Sequence, residues 1–258
     1  MPDLVLVISD VHANLAALKA VLESERWEEI VFLGDAVDYG PDPGDVVDLL
    51  RSLDPSVALM GNHDAAVAFG VGCGCREDLR RLSEYVREKV TLPNLSRGDF
   101  NWLRSLRTKF SGEILGREVF AVHGSPRNPL HGYLNPDLPE VEKRWALTEA
   151  TPLGYRPIEA KLVLLGHTHV QVDEQVGDIR VVNPGSVGQP RDGAPLASYA
   201  LISEESVVLR RVEYDVQTTV KRIEGLGLEE WAERALKEIL LTGKVPSGRV
   251  GPSDDLKA

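Results

Sequence analysis

Five short apolar runs in this chain each lead into a polar residue of a type that binds ions. LVLVIS leads into Asp10, EIVFLG into Asp35, SVALMG into Asn62, REVFAV into His123, and KLVLLG into His167. Apolar runs of this length, rich in branched side chains, indicate buried strands. In open α/β sheets, ligands bind in the crevice outside the carboxyl ends of the strands. The chain is therefore expected to fold so that these five polar positions gather at one edge of a sheet.

The first quarter of the chain alternates predicted strands and helices. The strands fall at 4–9, 29–34 and 56–61, and the helices at 14–25 and 43–53. This βαβαβ rhythm is typical of a parallel sheet. Asn14 is suited to the N-cap of the first helix, and Pro43 to the first turn of the second.

The rest of the chain predicts shorter antiparallel elements. We expect hairpins at 112–122 and 170–183, strands near 196–203 and 206–213, a helix near 139–150 within a long loop, and an amphipathic C-terminal helix from Leu228 to Ile239. Residues 1–241 are predicted to form a single domain with insertions at 64–110 and 124–160, and residues 242–258 a flexible tail.

Charge and hydropathy exclude some classes of function. The net charge of −11 argues against a nucleic acid polymer as partner, because such affinity comes from Lys and Arg on phosphates. No apolar run suits a membrane span and no signal pattern stands at the N-terminus, so we expect a cytoplasmic protein with no membrane partner. Residues 76–109 are locally basic, with nine basic and five acidic side chains, either as a solvated helix surface or as a rim that draws anionic substrate.

Two cysteines and one histidine stand apart from the strand ends. Cys73 and Cys75 lie in GVGCGC, where one intervening residue makes an intrachain disulfide geometrically awkward, so we expect free thiols in a glycine-rich loop. A redox or auxiliary metal role stays open for them. His131 is expected to be an ordinary loop residue.

The polar clusters form an ordered series. They read DxH at Asp10 and His12, GDxxD at Asp35 and Asp38, GNHD at 61–64, AVHG around His123, and GHTH at His167 and His169. Each alone is compatible with turn chemistry. In this order, over residues 4 to about 190, they resemble the calcineurin-like metallophosphoesterase family, and NPGS at 183–186 is similar to its small bacterial and archaeal phosphodiesterase branch. The resemblance implies an α/β fold, a four-layer α/β/β/α sandwich of two mixed sheets.

The resemblance also implies a centre of two divalent metal ions. Asp10, His12, Asp35 and His169 would hold one ion, and Asp35, Asn62, His123 and His167 the other, with Asp35 bridging. Several imidazoles favour Mn, Fe, Zn, Co or Ni over Mg, and Mn is the ion we favour. In an extended GHTH segment, alternate side chains share a face, so His167 and His169 would both face the cleft and Thr168 would point away.

The remaining predicted site residues concern the substrate. In the family pattern, His63 acts as general acid or phosphate ligand beside Asn62, and Asp38 orients it, while Asp64 is suited to capping the next segment. Arg127 in HGSPR and Arg191 in GQPRD are candidate phosphate contacts, with a surface salt bridge as the alternative for each. Tyr39 stands where protein Ser/Thr phosphatases have arginine, which argues against that activity.

These patterns predict a hydrolase for a small phosphodiester or phosphomonoester, with nucleotides among the candidates. A metal-bridging hydroxide would attack in line while His63 assists the leaving group. The alternatives are a dinucleoside polyphosphate hydrolase with a groove built from 76–109 and 124–160, a Ser/Thr protein phosphatase, and a non-catalytic scaffold of the same fold. The presence of His63 argues against the scaffold, and a homodimer through a sheet edge or the C-terminal helix stays open.

Overall fold

The computed structural model describes residues 4–247, 250 and 251. Within those residues the strands are β1 (Val5–Ile8), β2 (Glu29–Phe32), β3 (Val57–Ala58), β4 (Lys109–Ile114), β5 (Arg117–Val122), β6 (Thr148–Thr151), β7 (Gly154–Pro157), β8 (Leu162–Leu164), β9 (Gln171–Val176), β10 (Ile179–Pro184), β11 (Ala197–Ile202) and β12 (Val207–Val212). The helices are α1 (Leu15–Ser24), α2 (Pro43–Ser52), α3 (Asn62–Phe69), α4 (Glu77–Val86), α5 (Arg97–Ser105), α6 (Glu140–Ala146), α7 (Val216–Glu224) and α8 (Glu230–Thr242).

Two five-stranded mixed sheets form the centre of the described chain. The first has the order β12-β11-β1-β2-β3. In it β1, β2 and β3 are parallel, β11 pairs antiparallel with β1, and β12 pairs antiparallel with β11. The second has the order β4-β5-β8-β10-β9, in which β5, β8 and β10 are parallel and the two outer strands antiparallel. The parallel strands of both sheets end near the predicted polar clusters.

The period-2 alternation of each strand explains how the sheets pack. Val5 and Val7 of β1 join the core between the two sheets, while Leu6 and Ile8 face helices α1 and α2. In the second sheet, Ala121 of β5 faces inward and its neighbours pack outward against the segment that contains α6. Apolar side chains on both faces require cover on both sides. The four-layer sandwich of two mixed sheets is confirmed.

Most predicted elements are found within a few residues, and the middle of the chain departs most. The expected loop 124–160 contains α6, as predicted, but also the hairpin of β6 and β7. This hairpin has little apolar alternation; its strands pair antiparallel, and Glu149 forms ion pairs with Arg156 and Lys109. Helix α7 was not predicted. Among the described residues, no helix is long and apolar enough to span a membrane.

Part of the segment predicted as a flexible tail contacts the rest of the chain. Thr242 closes α8, the Gly193 amide donates to the Gly243 carbonyl at 2.8 Å, and Val250 is buried in the helical cluster of α4, α7 and α8. The flexibility of residues 242–258 stays a prediction. Residues 248, 249 and 252–258 lie outside the described residues.

Asn14 is the N-cap of α1, as predicted, and it also joins distant parts of the chain. Its Oδ1 accepts from the Ala17 amide at 3.2 Å and from Thr219 Oγ1 at 2.9 Å. Its Nδ2 donates to the Gly188 carbonyl at 3.0 Å and to Tyr214 Oη at 3.1 Å. One buried side chain thus connects the first helix to α7 and to the loop after β10.

We expect Asn14→Ala to lower the free energy of unfolding by about 2–4 kcal/mol, since it removes a cap and leaves buried polar groups unpaired. Asp215→Ala, which removes the solvent-exposed N-cap of α7, is the matched control and should cost about 1 kcal/mol. Urea unfolding at equal metal content measures both. Equal losses would show that the buried bridging bonds of Asn14 add nothing to its role as a cap.

Candidate metal centre

The seven predicted metal ligands converge at the carboxyl ends of the parallel strands. Asp10 follows β1, Asp35 follows β2, Asn62 begins α3 after β3, and His123 and His167 follow β5 and β8. The two sheets approach each other here. His123 follows β5 of the second sheet, and its Nδ1 lies 2.9 Å from the Leu33 carbonyl oxygen at the end of β2 in the first sheet. All seven side chains are buried: Asp10, His12, Asp35, Asn62, His123, His167 and His169.

The ligand atoms fall into two adjoining groups. Asp10, His12 and His169 form one group and Asp35, His123 and His167 the other, and within each group the donor atoms lie within 4.8 Å of one another. Asp35 Oδ2 lies 3.1 Å from His123 Nε2 and 3.8 Å from His12 Nε2, so it stands between the groups. Asn62 Oδ1 joins the second group at 3.0 Å from His123 Nε2. Each group has donor atoms of the kind that bind divalent cations, and Asp35 lies between the two groups.

Backbone carbonyls orient three of the imidazoles. His12 Nδ1 lies 2.9 Å from the Val37 carbonyl oxygen, and His123 Nδ1 lies 2.9 Å from that of Leu33. His169 Nδ1 lies 2.5 Å from the carbonyl oxygen of Gln189. A carbonyl accepts from Nδ1–H, so each Nε2 points toward the cleft and can offer its lone pair to a cation when it carries no proton. Such outer hydrogen bonds fix the tautomer and orientation of metal-binding histidines.

Each ligating carboxylate is held by one oxygen and exposes the other to the centre. Asp10 Oδ2 accepts from the His167 amide at 3.0 Å, and Asp35 Oδ1 accepts from the His63 amide at 2.8 Å. Within the described chain, Asp10 Oδ1, Asp35 Oδ2 and His167 Nε2 are buried without a hydrogen-bond partner. Unpaired buried polar atoms are costly. These three atoms belong to predicted metal ligands and converge, so divalent cations bound between them would supply the partners that they lack.

The buried carboxyl and imidazole groups of the centre shift one another's pKa values. Burial raises the pKa of the Asp35 carboxyl, but the charges of His123 and His63 outweigh it and hold that pKa well below its usual value. Burial lowers the pKa of His123, yet Asp35 more than offsets this and raises the pKa to about 9. Burial, together with neighbouring histidines, lowers the pKa of His12 and His167. Ionised carboxylates and neutral imidazoles are the forms that bind metal, and cation binding would displace the His123 proton.

Left-handed backbone concentrates at this centre. Ten non-glycine residues of the described chain have positive φ, and six of them are predicted site residues: Asp10, His12, Asp35, Asp38, His167 and His169. Such conformations cost free energy and persist where the surroundings impose them. The extended geometry expected for GHTH is therefore wrong, since His167 and His169 have φ of 67° and 59°. Both still face the cleft, and Thr168 Oγ1 turns away to accept from Asn183 Nδ2 at 3.0 Å.

The GNHD turn encloses Asp35. Asp64 accepts from the amides of Gly61, Asp35 and Ala36 at 3.0, 2.7 and 2.9 Å, so the predicted capping role is confirmed. A Cβ at Gly61 would overlap the Asp35 carboxylate. The glycine is required because the β2 and β3 loops touch at this point.

His63 is held by a buried carboxylate. Its Nδ1 lies 2.8 Å from Asp38 Oδ2, which leaves Nε2 at the cleft. Asp38 also accepts from Arg87 Nε at 3.0 Å and from Thr91 Oγ1 at 3.1 Å. Two buried donors, Arg87 and Thr91, thus hold the carboxylate that orients the His63 ring.

Arg87 contacts the site residue Asp38, and the sequence did not point to it. It was counted in the basic segment 76–109 as a solvated or rim residue, but only 7% of it is exposed. A π-helical turn over Arg87–Thr91 directs both of its end residues toward Asp38. The signal available in the sequence was a polar stripe at four-residue spacing, Ser83, Arg87 and Thr91, beside the apolar face of α4.

The two candidate arginines lie in different places. Arg191 lines the cleft with His63 and His169, and its guanidinium stands 5.8 Å from the Tyr39 ring centroid. Arg127 lies in a neighbouring cavity, stacked 3.3 Å from the Trp145 ring centroid and 3.4 Å from that of Tyr155. The structure therefore brings Arg191, and not Arg127, to the residues that surround the metal ligands.

The two cysteines form a disulfide, so the expectation of free thiols is wrong. Their Cα atoms lie 5.3 Å apart, because Gly74 between them takes a left-handed φ of 63°. Cys75 Sγ stands 3.4 Å from His63 Nε2, and the Cys73 carbonyl accepts from Asn62 Nδ2 at 2.8 Å. This second contact turns Asn62 Oδ1 toward the metal ligands.

Comparison with known proteins agrees with this geometry. A family model for the calcineurin-like phosphoesterase superfamily domain matches residues 4–206. Uncharacterized protein MJ0912 of Methanocaldococcus jannaschii is 31% identical over 252 residues, 89% of this chain and 95% of that protein. Phosphodiesterase YfcE of Escherichia coli is 28% identical over 221 residues, 83% of this chain and 94% of that enzyme. The crystal structure of a metallophosphoesterase from Sphaerobacter thermophilus matches with a TM-score of 0.75 at 31% identity, covering 94% of this chain and 100% of that one. The chain belongs to the calcineurin-like phosphoesterase superfamily and is a hydrolase that acts on phosphoesters.

Proposed function

We propose that the protein is a dinuclear metal-dependent phosphoesterase that hydrolyses a small phosphodiester or phosphomonoester. The observation that carries the proposal is the convergence of Asp10 Oδ1, Asp35 Oδ2 and His167 Nε2, which are buried and without hydrogen-bond partners in the described chain. Asp35 and His167 line a cleft with His63. The phosphodiesterase name of a relative that spans most of the chain supports a diester substrate.

The residues divide between two cation positions. Asp10, His12 and His169 would hold one ion, Asn62, His123 and His167 the other, and Asp35 both. When bound, the cations supply Lewis acidity that lowers the pKa of water and neutralises charge on phosphoryl oxygens. Four imidazoles favour a borderline ion over Mg, and we infer Mn as the ion used.

His63 provides the proton chemistry. Its Nδ1 is fixed by Asp38, so Nε2 faces the cleft, where it can protonate a departing alkoxide or donate to a phosphoryl oxygen. Arg87, bound to the same carboxylate, holds Asp38 in place and acts as a positioning residue. A non-catalytic scaffold would not need His63 to be held by Asp38 and Arg87 in this way, so these contacts argue against that alternative.

Arg191 is the phosphate contact that we favour. It reaches the cleft from the loop after β10, over the ring of Tyr39, which occupies the position where protein Ser/Thr phosphatases have arginine. Its Nη2 is held by Gln189 Oε1 at 2.6 Å, and Gln189 also accepts from His169 through its carbonyl. The guanidinium is therefore positioned relative to the metal ligands by a single neighbouring residue.

Asp35→Asn should reduce the metal content from two ions to one or none, because a carboxamide cannot bridge two cations as a carboxylate does. Metal analysis after loading with Mn²⁺ and desalting measures the stoichiometry, and activity should fall with it. Unchanged stoichiometry in the variant would refute the bridging role of Asp35.

Exhaustive chelation of the wild type should abolish hydrolysis until a divalent ion is restored.

His63→Ala should lower kcat by roughly 10²- to 10⁴-fold while metal content stays near that of the wild type, because only the His63 backbone amide touches Asp35. If His63 protonates the leaving group, the loss should be larger for an alkyl ester than for a 4-nitrophenyl ester. His131→Ala is the matched control and should retain activity. Loss of both metals in His63→Ala would instead indicate a structural role.

Arg191→Gln should raise KM at least tenfold for every phosphoester tested, since a charge-assisted contact to phosphate is lost. Steady-state kinetics with bis(4-nitrophenyl) phosphate and 4-nitrophenyl phosphate measure it, with Arg210→Gln, a surface arginine paired to Glu25, as control. An unchanged KM for both substrates would exclude Arg191 from phosphate binding.

A further inference from the structure

A cavity of about 810 Å³ opens beside the metal centre and has no part in the chemistry derived above. Its volume lies within the roughly 300–1,000 Å³ that small-molecule sites occupy. It is formed by the loop after β5, helix α6 and the hairpin of β6 and β7, and its principal side chains are Ser125, Arg127, Tyr133, Val141, Trp145 and Tyr155.

Tyr133 connects this cavity to the metal centre. It lines both the cavity and the cleft that contains His63 and Asp35. Its ring centroid lies 4.1 Å from that of the predicted metal ligand His167. A molecule with its phosphoryl group at the metal ligands can therefore extend past Tyr133 into the cavity.

Two aromatic rings and an arginine form the far wall of the cavity. The Arg127 guanidinium stacks 3.3 Å from the Trp145 ring centroid and 3.4 Å from that of Tyr155, and Arg127 Nη1 donates to Thr148 Oγ1 at 3.0 Å. This stack fixes the planes of both rings before any ligand arrives. Preorganised rings lose little conformational freedom when a further planar group stacks on them.

The same rings present apolar surface to solvent. Trp145 is 60% exposed, Tyr155 57% and Val141 73%, although each lines the cavity. Arg127 covers one face of each ring, so the exposed area includes the opposite face. Contiguous exposed apolar surface of this kind marks a ligand or partner site, and continuity with the metal cleft favours a ligand.

The position of the cavity indicates which part of a phosphoester it receives. His63, the proposed acid for the leaving group, contacts the rings of His12 and Tyr39, whereas Tyr133 contacts that of His167. The leaving-group acid and the cavity entrance thus lie against different ligands of the centre. The cavity is placed for the ester group that stays on phosphorus.

We propose that this cavity binds the nucleobase of a nucleotide-type phosphodiester, stacked on the free face of one ring of the preorganised stack of Trp145, Arg127 and Tyr155. The proposal rests on the phosphoesterase function proposed above and names its substrate class. Planar walls select a flat aromatic group over an alkyl chain. Asn128 and Glu142, which also line the cavity, supply an amide and a carboxylate for the polar edge of a base.

Two substrates with the same leaving group test the proposal. Thymidine 5′-(4-nitrophenyl) phosphate and methyl 4-nitrophenyl phosphate both release 4-nitrophenol and differ only in the retained group. The wild type should prefer the thymidine ester by at least tenfold in kcat/KM. Trp145→Ala and Tyr155→Ala should each lower kcat/KM for the thymidine ester about tenfold, in line with the loss of a stacked base, and leave the methyl ester within twofold.

The control is Leu153→Ser, at the fully exposed tip of the same hairpin and outside the residues that line the cavity, which should change neither substrate. An equal loss on both esters, or no preference in the wild type, would overturn the proposal. So would a dimer that dissociates in Trp145→Ala with the substrate preference unchanged, since the exposed rings would then serve a second copy of the chain.

A binding measurement separates this proposal from the phosphoesterase function. Calorimetric titration with thymidine 5′-monophosphate should show binding to the wild type that is at least tenfold weaker in Tyr155→Ala. If neither ester is hydrolysed by metal-loaded protein, the proposed function fails, and this titration alone then decides whether the cavity binds a nucleotide. Equal affinity of wild type and variant would refute the nucleobase site.

Discussion

The buried carboxylate of Asp35 is the interaction on which the rest of the site depends. Its amide is held by Asp64, its Oδ1 by the His63 amide, and its Oδ2 faces His123 and His12. Burying a carboxylate is costly unless positive charge compensates it. The surrounding loops supply that compensation from both sheets, and the close approach at Gly61 follows from packing two loops around one charged group.

The apolar runs predicted the strands and their polar ends. The resemblance of the motif series to a family predicted the two mixed sheets and seven candidate ligands, which the structure brings together. The sequence was insufficient for residues that act from a distance along the chain. Arg87 sits on a helix whose polar face resembles any solvated face, and Tyr133 lies in a loop without periodicity. The strands of the β6 and β7 hairpin are intermediate or exposed on both faces, so their sequences show no apolar alternation.

The predicted metal ligands and the aromatic cavity are supported by different kinds of structure. The predicted metal ligands lie at strand ends in backbone conformations that the fold imposes, and their outer hydrogen bonds go to main-chain carbonyls and amides. Main-chain partners persist whatever side chain stands at those positions. The aromatic cavity, in contrast, is built from a loop, a seven-residue helix and a short hairpin, which are the parts of a fold that tolerate change.

Because ligands come from both sheets, the centre also constrains how the protein matures during synthesis. The first sheet supplies Asp10, His12, Asp35 and Asn62, and the segment around the second supplies His123, His167 and His169. A nascent chain that has not yet released its GHTH segment from the ribosome lacks His167 and His169, one from each proposed donor group. Under the proposed assignment, the complete set of donors can therefore assemble only after both sheets have formed.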